Sequence, residues 1–171
     1  MTTPTQPEPW LRGPIDGVAP ALMPAAHALV MAREDIERVA PALTMEQLWR
    51  RPGGAASAAF HLRHIAGSID RLLAYALGRQ LSDAQRAALA AEQTVPEPPP
   101  TAAALADEAT RAIDHAMEII RATDPVQLHE PRQVGRSRLP TTLLGLLFHI
   151  AEHTQRHVGQ LITTAKIVGN E

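Results

Sequence analysis

Residues 143–161, LLGLLFHIAEHTQRHVGQL, combine an apolar helical pattern with three histidines at intervals of four. Residues four apart lie one above another on a helix, so His149, His153 and His157 form a stripe along it. Neutral imidazole is a common ligand of transition metals. The stretch therefore predicts a long, half-buried helix that also carries candidate metal ligands. Its apolar face is defined by Leu143, Leu147, Ile150, Val158, Leu161 and Ala165.

Three further long helical patterns are separated from this one by strong helix breakers. The breakers are residues 51–54, RPGG, and the proline-rich residues 94–100. Together the patterns predict an all-α fold, a four-helix bundle with short additional helices in the connections. The long helices are expected at about 20–40, 55–77, 101–122 and 140–168, and the short ones at 44–49 and 82–92. Thr44, Ser82 and Thr101 are the expected N-caps. Residues 130–140 are expected to form a loop with a brief extended turn around Gly135.

The length of 171 residues is that of one domain. Residues 1–19 are rich in proline and glycine, and we expect an irregular N-terminal arm that Trp10 and Leu11 tie to the body. Residues 20–171 are expected to form the single bundle domain. The long connection between the second and third helices permits a topology other than simple up-and-down.

Composition narrows the function classes. The chain has no cysteine, which excludes a disulfide framework, a thiolate metal site and a cysteine nucleophile. The formal charge of −2 argues against a nucleic-acid partner. Neither a secretory signal nor a membrane span is recognised, so a cytoplasmic protein that does not contact membranes is expected.

A second pair of histidines, His61 and His64, falls in the second long helix. On a helical wheel His157 lies closest to the apolar face of the last helix, His153 somewhat further round, and His149 furthest away. The pair His153 and His157 is therefore the better candidate for an ion, with His149 at the rim. His61 points closer to its own apolar face than His64 does, and periodicity leaves the choice of a third ligand between these two open.

Other metal architectures lack their motifs. The chain contains neither His-Glu-x-x-His, the signature of zincin proteases, nor the Glu-x-x-His pairs of di-iron carboxylate bundles. Glu152 lies on a different side of the helix from His153. It is interpreted as a solvated residue or as an outer partner that orients a ligand.

Two segments carry a resemblance to a known family. Residues 64–73, HIAGSIDRLL, and residues 152–161, EHTQRHVGQL, resemble the DinB-like superfamily, which includes the YfiT-type metal hydrolases and bacterial thiol transferases. The resemblance extends over nearly the whole chain after about residue 20. It implies a four-helix bundle, commonly a homodimer, with one divalent ion held by three histidines.

Carried over by motif, those ligands are His64, His153 and His157. His61 then becomes an outer partner or a packing residue. The resemblance implies nickel or zinc first, with iron or manganese also compatible, and imidazole ligands suit all of these ions.

The resemblance also implies the class of reaction. We expect a metal-dependent transferase that activates a low-molecular-weight thiol for a small-molecule substrate. Arg63, Arg156 or the arginine-rich loop at residues 132–138 would bind the thiol's carboxylates. One alternative is a hydrolase using a metal-bound hydroxide, with Glu152 as base only if its carboxylate reaches that oxygen. The other is a non-catalytic, stress-related metal-binding protein.

Overall fold

Four long helices dominate the computed structural model, which describes residues 6–170. The helices are α1 Met23–Val39, α2 Met45–Trp49, α3 Ala58–Ala76, α4 Asp83–Ala91, α5 Ala102–Ala122 and α6 Leu143–Gly169, and the strands are β1 Pro131–Val134 and β2 Leu139–Thr142. Short 3-10 helices span Pro9–Leu11, Pro20–Leu22, Ala40–Ala42, Pro52–Gly54 and Pro125–His129. The predicted four-helix bundle with short helices in its connections is confirmed.

Side-chain caps determine where most of these helices begin. Thr44 and Ser82 form complete capping boxes with the residues three positions later, and the Thr101 hydroxyl accepts a hydrogen bond from the Ala104 amide at 3.2 Å. These three predicted N-caps are confirmed. Ser57 caps α3, so that helix begins at Ala58 rather than near residue 55.

The segment predicted as a loop at residues 130–140 is a β-hairpin instead. Strands β1 and β2 pair antiparallel, with Val134 opposite Leu139. Gly135 in the connecting turn has a φ of 72°, a conformation that glycine adopts without steric cost. Because the second strand continues to Thr142, which caps α6, the last helix begins at Leu143 and not at Pro140.

The long helices form a ring whose order differs from their order along the chain. Both α1 and α3 pack extensively against α5 and against α6. The consecutive helices α1 and α3 therefore lie across one diagonal of the bundle, and α5 and α6 across the other. The anticipated departure from simple up-and-down order is present, and it places α3 directly beside α6.

Leucine, isoleucine and alanine fill the centre of the bundle. Leu62, Ile113 and Leu147 are fully buried, and small residues such as Ala59 and Ala109 allow the helices to approach closely. No helix within the described residues 6–170 has the length and apolarity needed to cross a lipid bilayer.

The N-terminal segment is fastened to α1 by polar contacts rather than by its aromatic residue. Trp10 and Leu11 are mostly exposed, so the predicted anchors are wrong. Arg12 instead forms a two-pronged ion pair with Glu34 on α1, and Val18 is buried against the core. Residues 1–5 of the predicted arm lie outside the described residues, and the division at residue 19 remains a prediction.

Burial along α6 predicts a large loss of stability for one substitution and almost none for its neighbour. Leu147→Ala removes a side chain with no exposed surface and should lower the free energy of unfolding by about 2–5 kcal/mol. Phe148→Ala changes a ring that is 59% exposed and should alter it by less than about 0.5 kcal/mol. Urea unfolding followed by circular dichroism measures both, and equal losses would contradict the assigned face of α6.

Candidate metal centre

The packing of α3 against α6 brings three histidines from two helices together. His64 lies on α3, and His153 and His157 lie one turn apart on α6. One nitrogen of each ring lies within 4.8 Å of the corresponding nitrogens of the other two. Among the described residues, this is the cluster of histidine, aspartate and glutamate side chains whose spacing suits a metal ion.

Two of the rings face each other through the same type of nitrogen. His64 Nε2 lies 3.0 Å from His153 Nε2. Two nitrogens that bind one ion at about 2.1 Å and at a right angle to each other lie about 3.0 Å apart. The separation therefore fits two imidazoles that share one divalent metal ion.

The far side of the His64 ring contacts a buried carboxylate. His64 Nδ1 lies 2.7 Å from Glu92 Oε2, and Arg71 Nη1 donates to Glu92 Oε1 at 2.5 Å. The side chains of Arg71 and Glu92 are 9% and 8% exposed. Burial raises the pKa of Glu92, but the hydrogen bonds from His64 and Arg71 and the positive charge of Arg71 outweigh it, so the pKa lies below its usual value.

Backbone contacts hold Glu92 against α3. The Arg63 guanidinium donates to the carbonyl oxygens of Ala91, Glu92 and Thr94, at 3.1, 2.9 and 2.6 Å. These are carbonyls at the end of α4, where a positive charge is favourable. The predicted substrate-binding candidate Arg63 is thus engaged in anchoring the chain at Glu92.

Gly67 makes room for the ion pair of Arg71 and Glu92. A Cβ atom added to this helical glycine would lie 2.7 Å from Arg71 Nη1 and from Glu92 Oε1. This is closer than van der Waals contact permits. The glycine in the HIAGSIDRLL segment therefore allows the carboxylate to reach the His64 ring.

A fourth histidine, His61, backs His157. Its Nδ1 lies 3.1 Å from His157 Nδ1, and it is 5% exposed, in agreement with the wheel that placed it nearer the core than His64. Burial, followed by the charge of His64, lowers the pKa of His61 to about 4. Burial, followed by the charges of His64 and His153, lowers the pKa of His157 to about 3. Both rings are therefore neutral at pH 7.

His153 differs from the other two members of the cluster. Its Nδ1 is buried and has no hydrogen-bond partner among the described residues. Burial, and then the charge of His64, lower the pKa of His153. If His64 carries its proton on Nδ1, toward Glu92, the contact between the Nε2 atoms requires His153 to donate from Nε2. The bare Nδ1 of His153 is then an unfilled acceptor, which costs less than a buried N–H without a partner.

His149, Glu152 and Arg156 form a separate chain of contacts along α6. Glu152 Oε1 lies 2.6 Å from His149 Nδ1, and Arg156 donates to Glu152 Oε2 at 2.7 Å. Burial raises the pKa of Glu152, while the hydrogen bonds from His149 and Arg156 lower it more, and the net shift is downward. The expected rim position of His149 matches its half-exposed side chain.

The family is established by the sequence match. The model of the DinB superfamily matches residues 28–161. The chain belongs to the DinB superfamily.

YfiT from Bacillus subtilis, described as a probable metal-dependent hydrolase with an unusual four-helix bundle topology, shares the fold with a TM-score of 0.67 at 12% identity, over 92% of this chain and 93% of that chain. A DinB-like protein from Bacillus cereus ATCC 10987 has a TM-score of 0.62 at 17% identity, over 85% of this chain and 91% of that chain. No curated protein matches.

In this member of the DinB superfamily, two clefts reach the histidines from different directions. The larger, about 520 Å³, is lined by Phe60, His61, Arg156 and His157 together with small and apolar residues. The smaller, about 260 Å³, is lined by His64, Arg71, His149 and His153, with Ser68 and Tyr75. Phe60 also stacks on the His64 ring, with centroids 5.4 Å apart, and so restricts its plane. Small molecules thus have access to the cluster from both sides.

Sequence reasoning missed three residues that surround His64: Glu92, Arg71 and Phe60. Phe60 and Arg71 lie four residues before and seven after His64, which is the same face of a helix, and this spacing is a usable signal. Glu92 gave no such signal. It ends a short helix in the connection, and only the folding of α4 onto α3 brings it to the site.

Burial of neutral imidazoles predicts how the stability of the metal-free protein depends on pH. Histidine in the unfolded chain titrates near pH 6.5, whereas His61 and His157 in the folded chain titrate near 4 and 3. The unfolded chain therefore binds more protons as the pH falls through 6.5, and folding stability should decrease between pH 7 and pH 5.

Urea unfolding of chelator-treated protein at pH 7, 6 and 5 measures this slope. His115, an exposed histidine on α5, provides the control, because His115→Gln should leave the slope unchanged. The double variant His61→Gln/His157→Gln should flatten it. A slope equal in the double variant and the parent would contradict the assigned burial of neutral rings.

Proposed function

We propose that His64, His153 and His157 bind one divalent metal ion and that the chain is a metal-dependent enzyme acting on small molecules. The observation that carries this proposal is the convergence of three imidazoles, two of them 3.0 Å apart, within a helical core. Three protein ligands leave coordination positions open, as in catalytic rather than structural sites. Nickel or zinc is proposed first, with iron or manganese as the next candidates.

The protonation of the rings supports binding at neutral pH. Metal ligands must be deprotonated at the binding nitrogen, and a low pKa removes the competition from protons. His153 and His157 have lowered pKa values because they are buried beside other rings. His157 Nδ1 is engaged by His61, which leaves Nε2 as the nitrogen available to an ion.

The reaction we propose is transfer of a low-molecular-weight thiol to a small electrophile. A bound divalent ion would lower the pKa of a thiol at its open positions, supplying thiolate near neutral pH. The chain itself has no cysteine to act as nucleophile. Two separate clefts beside the histidines would accommodate two reactants.

Arg156 is the proposed contact for a carboxylate of the thiol. It lines the larger cleft beside His157 and is more than half exposed. Within residues 6–170 its ion pair is with Glu152 on the same helix, and the guanidinium has further donors with which to bind a carboxylate. Arg63, by contrast, is proposed to act structurally because three carbonyls already accept its hydrogen bonds.

Metal-dependent hydrolysis is the second candidate, and it is supported by the similarity to YfiT, a probable metal-dependent hydrolase. In that reaction a base close to the ion would assist the attack of water. The two carboxylates nearest the histidines are both engaged: Glu92 with His64 and Arg71, and Glu152 with His149 and Arg156. A thiolate or a hydroxide formed on the ion needs no carboxylate base, so these contacts do not separate the two reactions. The thiol reaction is proposed first because two clefts border the histidines. The homodimer and the cytoplasmic location stay predictions.

Removal of two ligands should abolish metal uptake. Protein prepared without a histidine tag and loaded with Ni²⁺ or Zn²⁺ should bind near one ion per chain. His153→Ala/His157→Ala removes two ligands and should reduce the affinity for the ion by more than roughly 10–100-fold, which is the loss typical when a residue that only hydrogen-bonds to a ligand is replaced. His115→Ala, which removes an exposed histidine from α5, should retain the ion. Metal analysis after dialysis checks this, and equal metal content in all three proteins would refute the site.

A substrate panel should separate the two candidate reactions. Metal-loaded protein should consume thiol when low-molecular-weight thiols are offered with an electrophile, and Arg156→Gln should raise KM for carboxylated thiols more than it lowers kcat. A thiol without carboxylates is the matched control. Turnover of amide substrates without any thiol would instead support the hydrolase.

A further inference from the structure

We propose that Glu92 is a positioning residue that holds the His64 ring in the tautomer with the proton on Nδ1, so that Nε2 presents its lone pair to the histidine cluster. The metal-binding part of this idea rests on the proposed function. The tautomer itself is a property of the metal-free chain. The two can therefore fail separately.

The geometry around His64 carries the inference. An ionised carboxylate only accepts hydrogen bonds, and Glu92 Oε2 lies 2.7 Å from His64 Nδ1. The ring must therefore carry a proton on Nδ1. Its other nitrogen, Nε2, faces His153 at 3.0 Å. A carboxylate behind a histidine ligand fixes ring orientation and increases the basicity of the ligating nitrogen.

Glu92 is itself held from two sides. Arg71, buried on α3, donates to Oε1 and keeps that oxygen turned away from the ring. Arg63 donates to the backbone carbonyl of Glu92 and to its neighbours. Gly67 leaves the space between these groups and the helix. The carboxylate therefore has one oxygen, Oε2, directed at His64.

Within the described cluster, His64 is distinguished by an anionic partner. His157 is backed by a second imidazole, His61, and His153 Nδ1 has no partner in residues 6–170. If the ion pair of Glu92 and Arg71 served only to dock α4 onto α3, Glu92 Oε2 would not need to contact the His64 ring. The contact with His64 therefore indicates a role in the site.

Two variants separate positioning from docking. In Glu92→Gln, the amide oxygen should turn to the Arg71 donor, which leaves the amide N–H₂ facing His64 Nδ1. That arrangement forces the proton to Nε2 and blocks the nitrogen that faces the cluster. In Arg71→Met/Glu92→Gln, no guanidinium competes for the oxygen, which can again accept from Nδ1. The double variant also avoids an unpaired buried charge.

Glu152→Gln is the matched control. Glu152 also lies between a histidine and an arginine, but at the half-exposed edge of α6. Its substitution should leave the His64 tautomer and the affinity for Zn²⁺ at the parent values.

The experiment measures histidine ring ¹⁵N resonances of the metal-free proteins near pH 7, together with Zn²⁺ affinity by chelator competition. The parent should show His64 protonated on Nδ1. Glu92→Gln should show the Nε2-protonated form and bind Zn²⁺ about 10–100-fold more weakly, with the double variant restored to the Nδ1 form and intermediate in affinity.

An Nε2-protonated His64 in the parent would overturn the inference, and so would parent-like tautomer and affinity in Glu92→Gln. Loss of stability without a change of tautomer would assign Glu92 to docking alone. If the parent takes up no Zn²⁺, the proposed function fails, while the ring resonances still decide whether Glu92 positions His64.

Discussion

Contact between α3 and α6 places polar imidazoles inside a core of leucine, isoleucine and alanine, and the properties of the site follow from that burial. A low-dielectric setting disfavours the charged form of histidine, which lowers the pKa values of His61, His153 and His157. The neutral form is the one that binds a metal ion. The non-sequential ring of helices matters here, because it makes the second and last long helices neighbours and brings together the two histidine motifs.

The connection between α3 and α5 contributes to the site as well as to the topology. Its helix α4 is fastened at one end by the hydrogen bond from Gln85 to Asp70 and at the other by Arg63. Between these points Arg71 fixes the carboxylate of Glu92. A segment that would only need to span the bundle is thus tied to one face of α3. The consequence is that residues from three helices, α3, α4 and α6, determine the orientation of one ring.

Local patterns were enough to predict the four long helices and the caps Thr44, Ser82 and Thr101, since periodicity and side-chain capping act within a few residues. The caps Ser57 and Thr142 were not predicted, and the starts of α3 and α6 were therefore placed too early. They also brought out His153 and His157, which lie on one helix. The wheel placed His61 deeper than His64, as the structure has it. Depth alone does not select a ligand, because both rings contact α6, His61 at His157 and His64 at His153. The hairpin before α6 pairs neighbouring residues, and the extended turn expected around Gly135 was its sign in the sequence. The contact of Glu92 with His64 joins residues of separate segments and leaves no mark in the local pattern. The prediction that Trp10 anchors the N-terminal segment was wrong, although aromatic side chains are frequent anchors. The ion pair of Arg12 with Glu34 holds that segment on α1 instead.

The three imidazoles are not equivalent, and the difference bears on how a ligand would enter. With His64 protonated on Nδ1, the hydrogen bond between the two Nε2 atoms has His153 as donor. Binding through His153 Nε2 then requires its proton to move to Nδ1, which is buried and has no partner among the described residues. A buried N–H without an acceptor costs about 1–3 kcal/mol.

His64 and His157 carry no such penalty, because their Nδ1 atoms contact Glu92 and His61. At the proposed site the supported pair would therefore hold an ion first and most firmly. Coordination would be weakest at His153, which also borders the smaller cleft, so exchange with an incoming small molecule would be easiest there.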